Sequence, residues 1–397
     1  MEESGKSESV RGRAREITRE MSTPDMPLTV VSVVGTRPNF MKTMPVIAEL
    51  KRRSGDFEHV LVHTGQHYDD AMSRVFFDEL GATEPDFFLD VGSGSHAQQT
   101  ARVMERLEPV LLDVRPDIVL VPGDVNSTAA AALVAAKLGI RIGHIEAGLR
   151  SFDRTMPEEI NRIVADSLSD LLFTHSPEAR FNLMREGVPE SAIHFVGNTM
   201  IDTLVAMRPR IEALGAPAAH GLQNGSYLVV TLHRPALVDG PMLNEALEHL
   251  QEISRQLTVV FPAHPRTRKM IEMLQPDAGD EHFRLIEPVG YLEFLGLVMG
   301  AAGVLTDSGG IQEETTFLGI PCFTLRDNTE RPVTLMGTNT LLGMRPERIA
   351  DVPLLLAAVK QREREIPDGW DGHAAERIVD VLAGEKVTKN GVEVRVR

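Results

Sequence analysis

Short, unbroken apolar runs recur along this chain, separated by longer amphipathic stretches. The first, TVVSVV at 29–34, ends in Gly-Thr-Arg-Pro. The pattern repeats in HVLVHTG at 59–65, DIVLVPGD at 117–124, RIGHIEAG at 141–148, LLFTHS at 171–176 and IHFVGN at 193–198. Strands that are apolar on both faces belong to parallel sheets covered by helices on each side. Helical patterns fill the intervals, as at 41–53 and 129–138. This alternation predicts a doubly wound α/β domain over residues 28–205.

A second series follows, with YLVVTLHRP at 227–235, LTVVFPAHP at 257–265, FRLIEPVGY at 283–291, GVLTDSGG at 303–310 and IPCFTLRD at 320–327. It predicts a second α/β domain over 206–372. The stretch 208–226, rich in Gly, Ala and Pro, reads as a loose linker, with a hinge expected near Ala206. A last helix, at about 373–384, is expected to cross back onto the first domain. Residues 1–27 and 385–397 read as polar tails, and the first has no apolar core of a secretory signal. Almost every strand ends in a polar or glycine-containing turn. In open α/β sheets ligands bind outside the carboxyl ends of the strands. Two such domains face to face therefore predict one deep cleft lined by turns from both.

The richest stretch is GHIEAGLRSFDRTMPEEINR at 143–162. Glu146 falls where a buried strand ends. Pro157 suits the first turn of a new helix, where its missing N–H costs nothing, and Glu158 and Glu159 sit near the positive end of the helix dipole. Glu146 and Glu158 can face one crevice, an arrangement for moving protons. Glu159 reads as a solvated helix-start carboxylate. Asp124, in PGDVNST, is either a helix N-cap or a site carboxylate.

Ser308, Gly309 and Gly310 lie between a strand and a helix start, where small residues let backbone N–H groups approach a phosphate. Glu314, inside that helix, is placed to accept hydrogen bonds from sugar hydroxyls. Arg37 and Lys42 follow the first strand, and Arg331 lies in a turn-rich loop; all three suit a diphosphate. His233 and His264 end the first two strands of the second series, and His63 and His67 bracket a Thr-Gly-Gln turn.

Charge narrows the partners. The 397 residues hold 41 basic and 57 acidic side chains, a net charge of −16. Such a surface repels polyanions, so neither nucleic acid nor an anionic membrane is expected as a partner. No run nears the ~20 apolar residues of a membrane helix. The single cysteine, Cys322, can form no intramolecular disulfide and reads as a buried strand residue, which fits a reducing, cytoplasmic setting. His63 and His67 stand four apart but across a Gly-containing turn, so no His pair on a helix suggests a metal; no GxGxxG suggests a nicotinamide cofactor, and no GxSxG a serine nucleophile. Neither metal nor cofactor is expected.

Taken together the turns resemble the non-hydrolysing UDP-N-acetylglucosamine 2-epimerases. The resemblance runs from about Leu28 to Leu382. It rests on GTRP at 35–38, HTGQH at 63–67, PGD at 122–124, EAGLR at 146–150, PEEINR at 157–162, LHR at 232–234, DSGGIQEE at 307–314 and ERP at 330–332. It implies two Rossmann-like domains related to GT-B glycosyltransferases, a homodimer, and interconversion of UDP-GlcNAc and UDP-ManNAc without metal or nicotinamide. By position, Asp124, Glu146, Glu158 and His233 match the family's proposed catalytic residues. Arg37, Lys42, Phe294, Ser308, Gly309, Gly310, Glu314 and Arg331 match its UDP-sugar contacts. A second UDP-GlcNAc as activator is implied, with Gln66 and His67 in its site. Three positions depart from the usual pattern: Asn39 after GTRP, Pro235-Ala236-Leu237 after LHR, and Val333 after ERP. They bear on the exact sugar, since related enzymes act on UDP-linked diacetamido uronic acids. The competing expectations are a GT-B glycosyltransferase using UDP-GlcNAc, a hydrolysing epimerase, and a silent nucleotide-sugar sensor.

Overall fold

The computed structural model describes residues 27–65, 84–263, 265–274, 281–359 and 365–390. Among these residues two parallel sheets carry the fold. The first has seven strands in the order β3-β2-β1-β4-β5-β6-β7. They are β1 (Leu28–Val34), β2 (Phe57–His63), β3 (Phe87–Phe88), β4 (Ile118–Pro122), β5 (Arg141–Ile145), β6 (Leu171–Thr174) and β7 (Ile193–Phe195). The second has six, in the order β10-β9-β8-β11-β12-β13. These are β8 (Tyr227–Thr231), β9 (Thr258–Pro262), β10 (Phe283–Ile286), β11 (Gly303–Thr306), β12 (Cys322–Thr324) and β13 (Asn339–Leu341). In each sheet the order reverses once, between β1 and β4 and between β8 and β11. These are the topological switch points, where helices diverge to opposite faces and leave a crevice.

The predicted strands sit where the apolar runs are, because a strand buried on both faces must be apolar throughout. β3 and β13 were not foreseen. Both are edge strands of two and three residues, too short to form a run that signals burial. The helix after β1 runs Arg37–Arg52, starting one turn before the apolar pattern suggests. Buried Asn39 explains that start. Its Oδ1 accepts from the N–H groups of Gly35 and Thr36, both at 3.2 Å, and its Nδ2 donates to the Pro122 carbonyl at 2.9 Å. One side chain thus ties together the turns that leave β1 and β4.

The expected loose linker is a correction. Residues 199–214 form a helix, Thr199–Leu214, and a short helix Ala216–Ala219 follows it. Ala206 therefore lies inside a helix. The glycine and proline content misled because Gly215 takes the left-handed conformation, φ +57°, that ends the long helix. Buried Met200, Leu204 and Ile211 of this helix pack with Phe40 and Met41 from the first lobe and Tyr291, Leu292 and Leu295 from the second. An apolar core therefore joins the lobes on one side of the cleft.

The last helix spans Ala374–Asn390 and so runs past the predicted start of a polar tail at 385. Ala375, Ile378, Val379 and Leu382 pack with Leu28, Val30, Ile118 and Leu120 of the first sheet. Asp202 caps this helix, accepting from the N–H groups of Ala374 at 3.2 Å and Ala375 at 2.7 Å. Trp370, just before it, is fully buried, and its Nε1 donates to the His175 carbonyl at 2.9 Å. The expected tail at 1–26 lies outside the described residues.

Candidate active site

Four turns at the carboxyl ends of β1, β4, β8 and β11 converge at the two switch points, and the loop 326–331 reaches between them. Glu146 sits just past β5 with φ +70°, a left-handed conformation that side chains larger than glycine rarely adopt. The turn projects its carboxylate into the space between the lobes. Lys42 Nζ donates to Glu146 Oε2, and Arg331 Nη2 donates to Oε1 at 2.8 Å. Burial alone would raise the Glu146 pKa. The positive charges of Lys42 and Arg331 outweigh it and hold the carboxyl below its ordinary value.

Arg331 is the hub. Its guanidinium also meets Glu313, with Nε 3.0 Å from Oε2, and Glu330 through Nη1. Arg326 Nη2 donates to the other oxygen of Glu330 at 2.6 Å. Asn198 Nδ2 donates to Glu313 Oε1 at 3.0 Å, and His175 Nε2 lies 3.2 Å from the same oxygen. Buried carboxylates are tolerated here because each is matched by a cation. Glu146, His175 and Glu313 place metal-ligand atoms within 4.8 Å of one another. Arg331 and Lys42 already take up those carboxylate oxygens, so a divalent ion would have to displace both. The donor set suits an ion-pair cluster better than a cation.

Asp124 does not cap the helix Asn126–Lys137, whose N-cap is Val125. It accepts instead from Arg162 Nη1. Arg162 is held in turn by Glu159, at 2.8 Å from Nη2. Here the sequence expectation for Glu159 fails. It is buried, 1% exposed, and accepts from the N–H groups of Ser151 at 3.0 Å and Phe152 at 2.9 Å. Glu159 is a structural anchor, and its neighbour Glu158 is the half-exposed one. Glu158 lies near enough to Arg234, across the cleft, for its charge to act on that guanidinium.

On the second lobe, Asp307 organises the turn after β8. Its Oδ2 accepts from the N–H groups of His233 at 2.9 Å and Arg234 at 2.7 Å, and its Oδ1 lies 2.8 Å from His233 Nδ1. The His233 side chain is 52% exposed, so Asp307 fixes one ring nitrogen while the ring faces the opening. Ser308 is the N-cap of the helix Gly309–Leu318, and its side chain makes no capping bond. A Cβ on Gly309 would lie 2.6 Å from Arg331 Nη1 and 2.9 Å from Glu330 Oε1. Glycine is required there so that the helix start can lie against the guanidinium. Ser308, Gly309 and Gly310 are partly exposed; the Ser308 N–H donates to Thr306 Oγ1 at 2.9 Å, and Gly309 and Gly310 open the first turn of the helix.

Glu314 is buried further along the same helix and accepts from Tyr291 Oη at 2.9 Å. Burial pushes its pKa up to about 7, the Tyr291 hydrogen bond lowers it, and the charge of Glu313 raises it again. Arg37, from the first lobe, lies over the Tyr291 ring at 5.6 Å from its centroid. Phe294, on the helix Tyr291–Gly300, packs on the apolar core of the second lobe, and no polar contact described above involves it. Gln66, His67 and His264 fall outside the described residues. His63 is stacked between Phe40 at 5.2 Å and Phe88 at 5.1 Å, and burial lowers its pKa to about 4, which marks it as a packing residue.

The structure thus brings Lys42, Glu146, Arg331 and Gly309 together and places Asp124 near enough for its charge to act on Arg331. Sequence reasoning missed Glu313, His175, Asp307, Tyr291 and Glu330. Asp307, Glu313 and Glu330 stand inside the motifs already singled out, but nothing local says which way they point. His175 directly follows the strand run LLFT, the kind of position that singled out His233, but nothing local says that it meets Glu313.

Two parallel α/β lobes opposed at their switch points, with ion-paired carboxylates on one and an open helix start on the other, form a GT-B-like nucleotide-sugar enzyme. Comparison with known proteins narrows this class. A family model described as UDP-N-acetylglucosamine 2-epimerase matches residues 48–383. The UDP-N-acetylglucosamine 2-epimerase of Methanococcus maripaludis is 43% identical over 365 residues, covering 89% of this chain and 98% of the relative. The UDP-2,3-diacetamido-2,3-dideoxy-D-glucuronate 2-epimerase of Pseudomonas aeruginosa is 40% identical over 362 residues, covering 90% and 99%. The crystal structure of Methanocaldococcus jannaschii UDP-GlcNAc 2-epimerase in complex with UDP-GlcNAc and UDP superposes with a TM-score of 0.81 at 39% identity, covering 90% of this chain and all of that one. The chain belongs to the UDP-N-acetylglucosamine 2-epimerase family and is therefore an isomerase. Among the described residues no helix is long and apolar enough to cross a membrane.

Proposed function

We propose that this enzyme interconverts UDP-GlcNAc and UDP-ManNAc, as a cytoplasmic homodimer, by eliminating UDP and adding it back. The observation that carries the reading is Glu146, a buried carboxylate held ionised between Lys42 and Arg331 beside the helix start at Gly309.

The C2 proton has no adjacent carbonyl to acidify it. As the C1–O bond to the diphosphate breaks, its electron pair leaves with UDP and positive character grows on C1. The C2 proton then passes to a carboxylate, and the C2–H pair becomes the C1–C2 double bond of a 2-acetamidoglucal. Arg37, Lys42, Arg331 and the backbone at Ser308–Gly310 stabilise the departing diphosphate. Re-addition of UDP to C1, with a proton delivered to the opposite face of C2, completes the inversion.

Two faces require at least two proton-handling groups. Asp124, Glu146 and Glu158 are the acids, with His233 beside them. Because Lys42 and Arg331 serve both Glu146 and the diphosphate, an arriving substrate competes for them and makes Glu146 a stronger base. Glu314 and Phe294 hold the nucleoside, and a second UDP-GlcNAc near Gln66 and His67 acts as activator. The lobes close over the reactive intermediate to keep water out.

The test is incubation with UDP-GlcNAc in D2O. Deuterium at C2 together with UDP-ManNAc is the expected result. A glycosyltransferase would leave C2 unlabelled, and a hydrolysing enzyme would release free ManNAc. The similarity to the diacetamido uronate epimerase makes UDP-2,3-diacetamido uronate the second substrate to assay; faster turnover of that sugar would move the specificity without changing the C2 chemistry.

A further inference from the structure

We propose that His144, which no step above uses, is a doubly protonated imidazolium that sets the position of Asp124 relative to Glu146. The ring is fully buried on β5, two residues before Glu146. Its Nδ1 lies 2.6 Å from Asp166 Oδ1 and its Nε2 lies 2.8 Å from the carbonyl oxygen of Gly123. A carboxylate and a carbonyl only accept hydrogen bonds, so the ring must donate from both nitrogens. Asp166 also meets Arg150 at 2.7 Å, and Arg150 reaches on to Glu186, whose side chain is 40% exposed, so Asp166 is a buried carboxylate beside a cation and can only accept.

The consequence is geometric. β5 grips the Gly123 peptide from both sides, since the Gly123 N–H donates to the Ile145 carbonyl at 2.9 Å and the Gly123 carbonyl accepts from His144. The next residue is Asp124. On the other side, Asp166 Oδ2 accepts from the Gly148 N–H at 3.1 Å, two residues after Glu146. Gly123, Glu146 and Gly148 all have positive φ, at +62°, +70° and +81°. Both turns that carry a site carboxylate are thus left-handed, and one His144–Asp166 pair pins both. His144 is a positioning residue. This inference rests on the reading of Asp124 and Glu146 as proton-handling groups.

The first test does not need that reading. In full-length protein labelled with ¹⁵N-histidine, one ring is expected to carry a proton on each nitrogen at neutral pH. The signal is assigned by its loss in His144→Gln, or by its change in Asp166→Asn if the first variant does not fold. A ring protonated on one nitrogen only would overturn the proposal. The second test splits binding from turnover: in either variant turnover is expected to fall on the order of 100-fold while UDP affinity stays within about twofold. Unchanged turnover, or equal losses of turnover and UDP affinity, would reduce the pair to a fold element and defeat the inference. If the wild type itself does not epimerise, the functional reading fails while the ring's protonation can still be read.

Discussion

On the first sheet, the turns after β4, at the switch point, and β5, beside it, carry acids, each locked against a cation: Asp124 against Arg162, and Glu146 against Lys42 and Arg331. At the switch point of the second sheet, the turns carry His233, half exposed, and the uncapped helix start after Ser308. The two walls have the same topology and opposite states of readiness. On the first wall Asp124 and Glu146 are both ion-paired, and a ligand must compete for their cations. On the second, the helix start and the imidazole are partly exposed. The same contrast separates two neighbours on one helix. Arg331 and His175 offset the burial of Glu313 and lower its pKa to about 2, whereas burial raises that of Glu314 to about 7. A carboxylate's behaviour here is set by which cation reaches it, and burial alone does not decide it.

The largest effect should come from breaking the locked wall at its centre. Glu146→Gln is expected to cut turnover on the order of 10³-fold, within the range typical of a lost general acid or base. UDP should still bind, which calorimetry would show. Turnover near that of the parent would mean that the buried carboxylate only balances charge.

The next effect tests the unmatched acid. Glu314 ionises near pH 7 in the fold and near its ordinary value of 4.5 when unfolded. Between these values the unfolded chain binds fewer protons than the native one, so stability should fall as pH rises from about 4.5 to 7 and then level off. Glu314→Gln removes this loss. Its gain in unfolding free energy should be small at pH 5 and on the order of 3 kcal/mol at pH 8, as an upper bound. Urea unfolding at the two pH values decides it; an equal gain at both would place the effect elsewhere.

Glu158 and Glu159 provide a sharper and smaller comparison. Glu159→Gln should destabilise the protein by about 1–3 kcal/mol, because it weakens the acceptor for Ser151, Phe152 and Arg162. Glu158→Gln should leave stability within about 0.5 kcal/mol and show itself in turnover alone. The reverse outcome in melting experiments would exchange the roles of the two residues. Smallest of all, Gly309→Ala adds a methyl group against Arg331 and Glu330, which should weaken UDP binding about tenfold through a displaced helix start, for a packing cost of about 1–3 kcal/mol.

Much of this molecule was legible in the chain itself. The apolar runs located eleven of the strands, because burial on both faces of a parallel sheet demands an unbroken run wherever the strand lies. The turn motifs singled out Glu146, Lys42, Arg331 and Gly309, which the fold brings together, because strand ends are where open α/β sheets can hold a ligand. What the tertiary structure decided was partnership. Arg331 meets Glu146 across 185 positions of sequence, and His144 fixes the Gly123 peptide across 21. It made Glu159 an anchor and turned an expected linker into a helix at the lobes' apolar junction. Periodicity is local and can be read from neighbours along the chain. Ion pairing, burial and the direction of a pKa shift depend on groups that only the folded chain brings within a few ångströms.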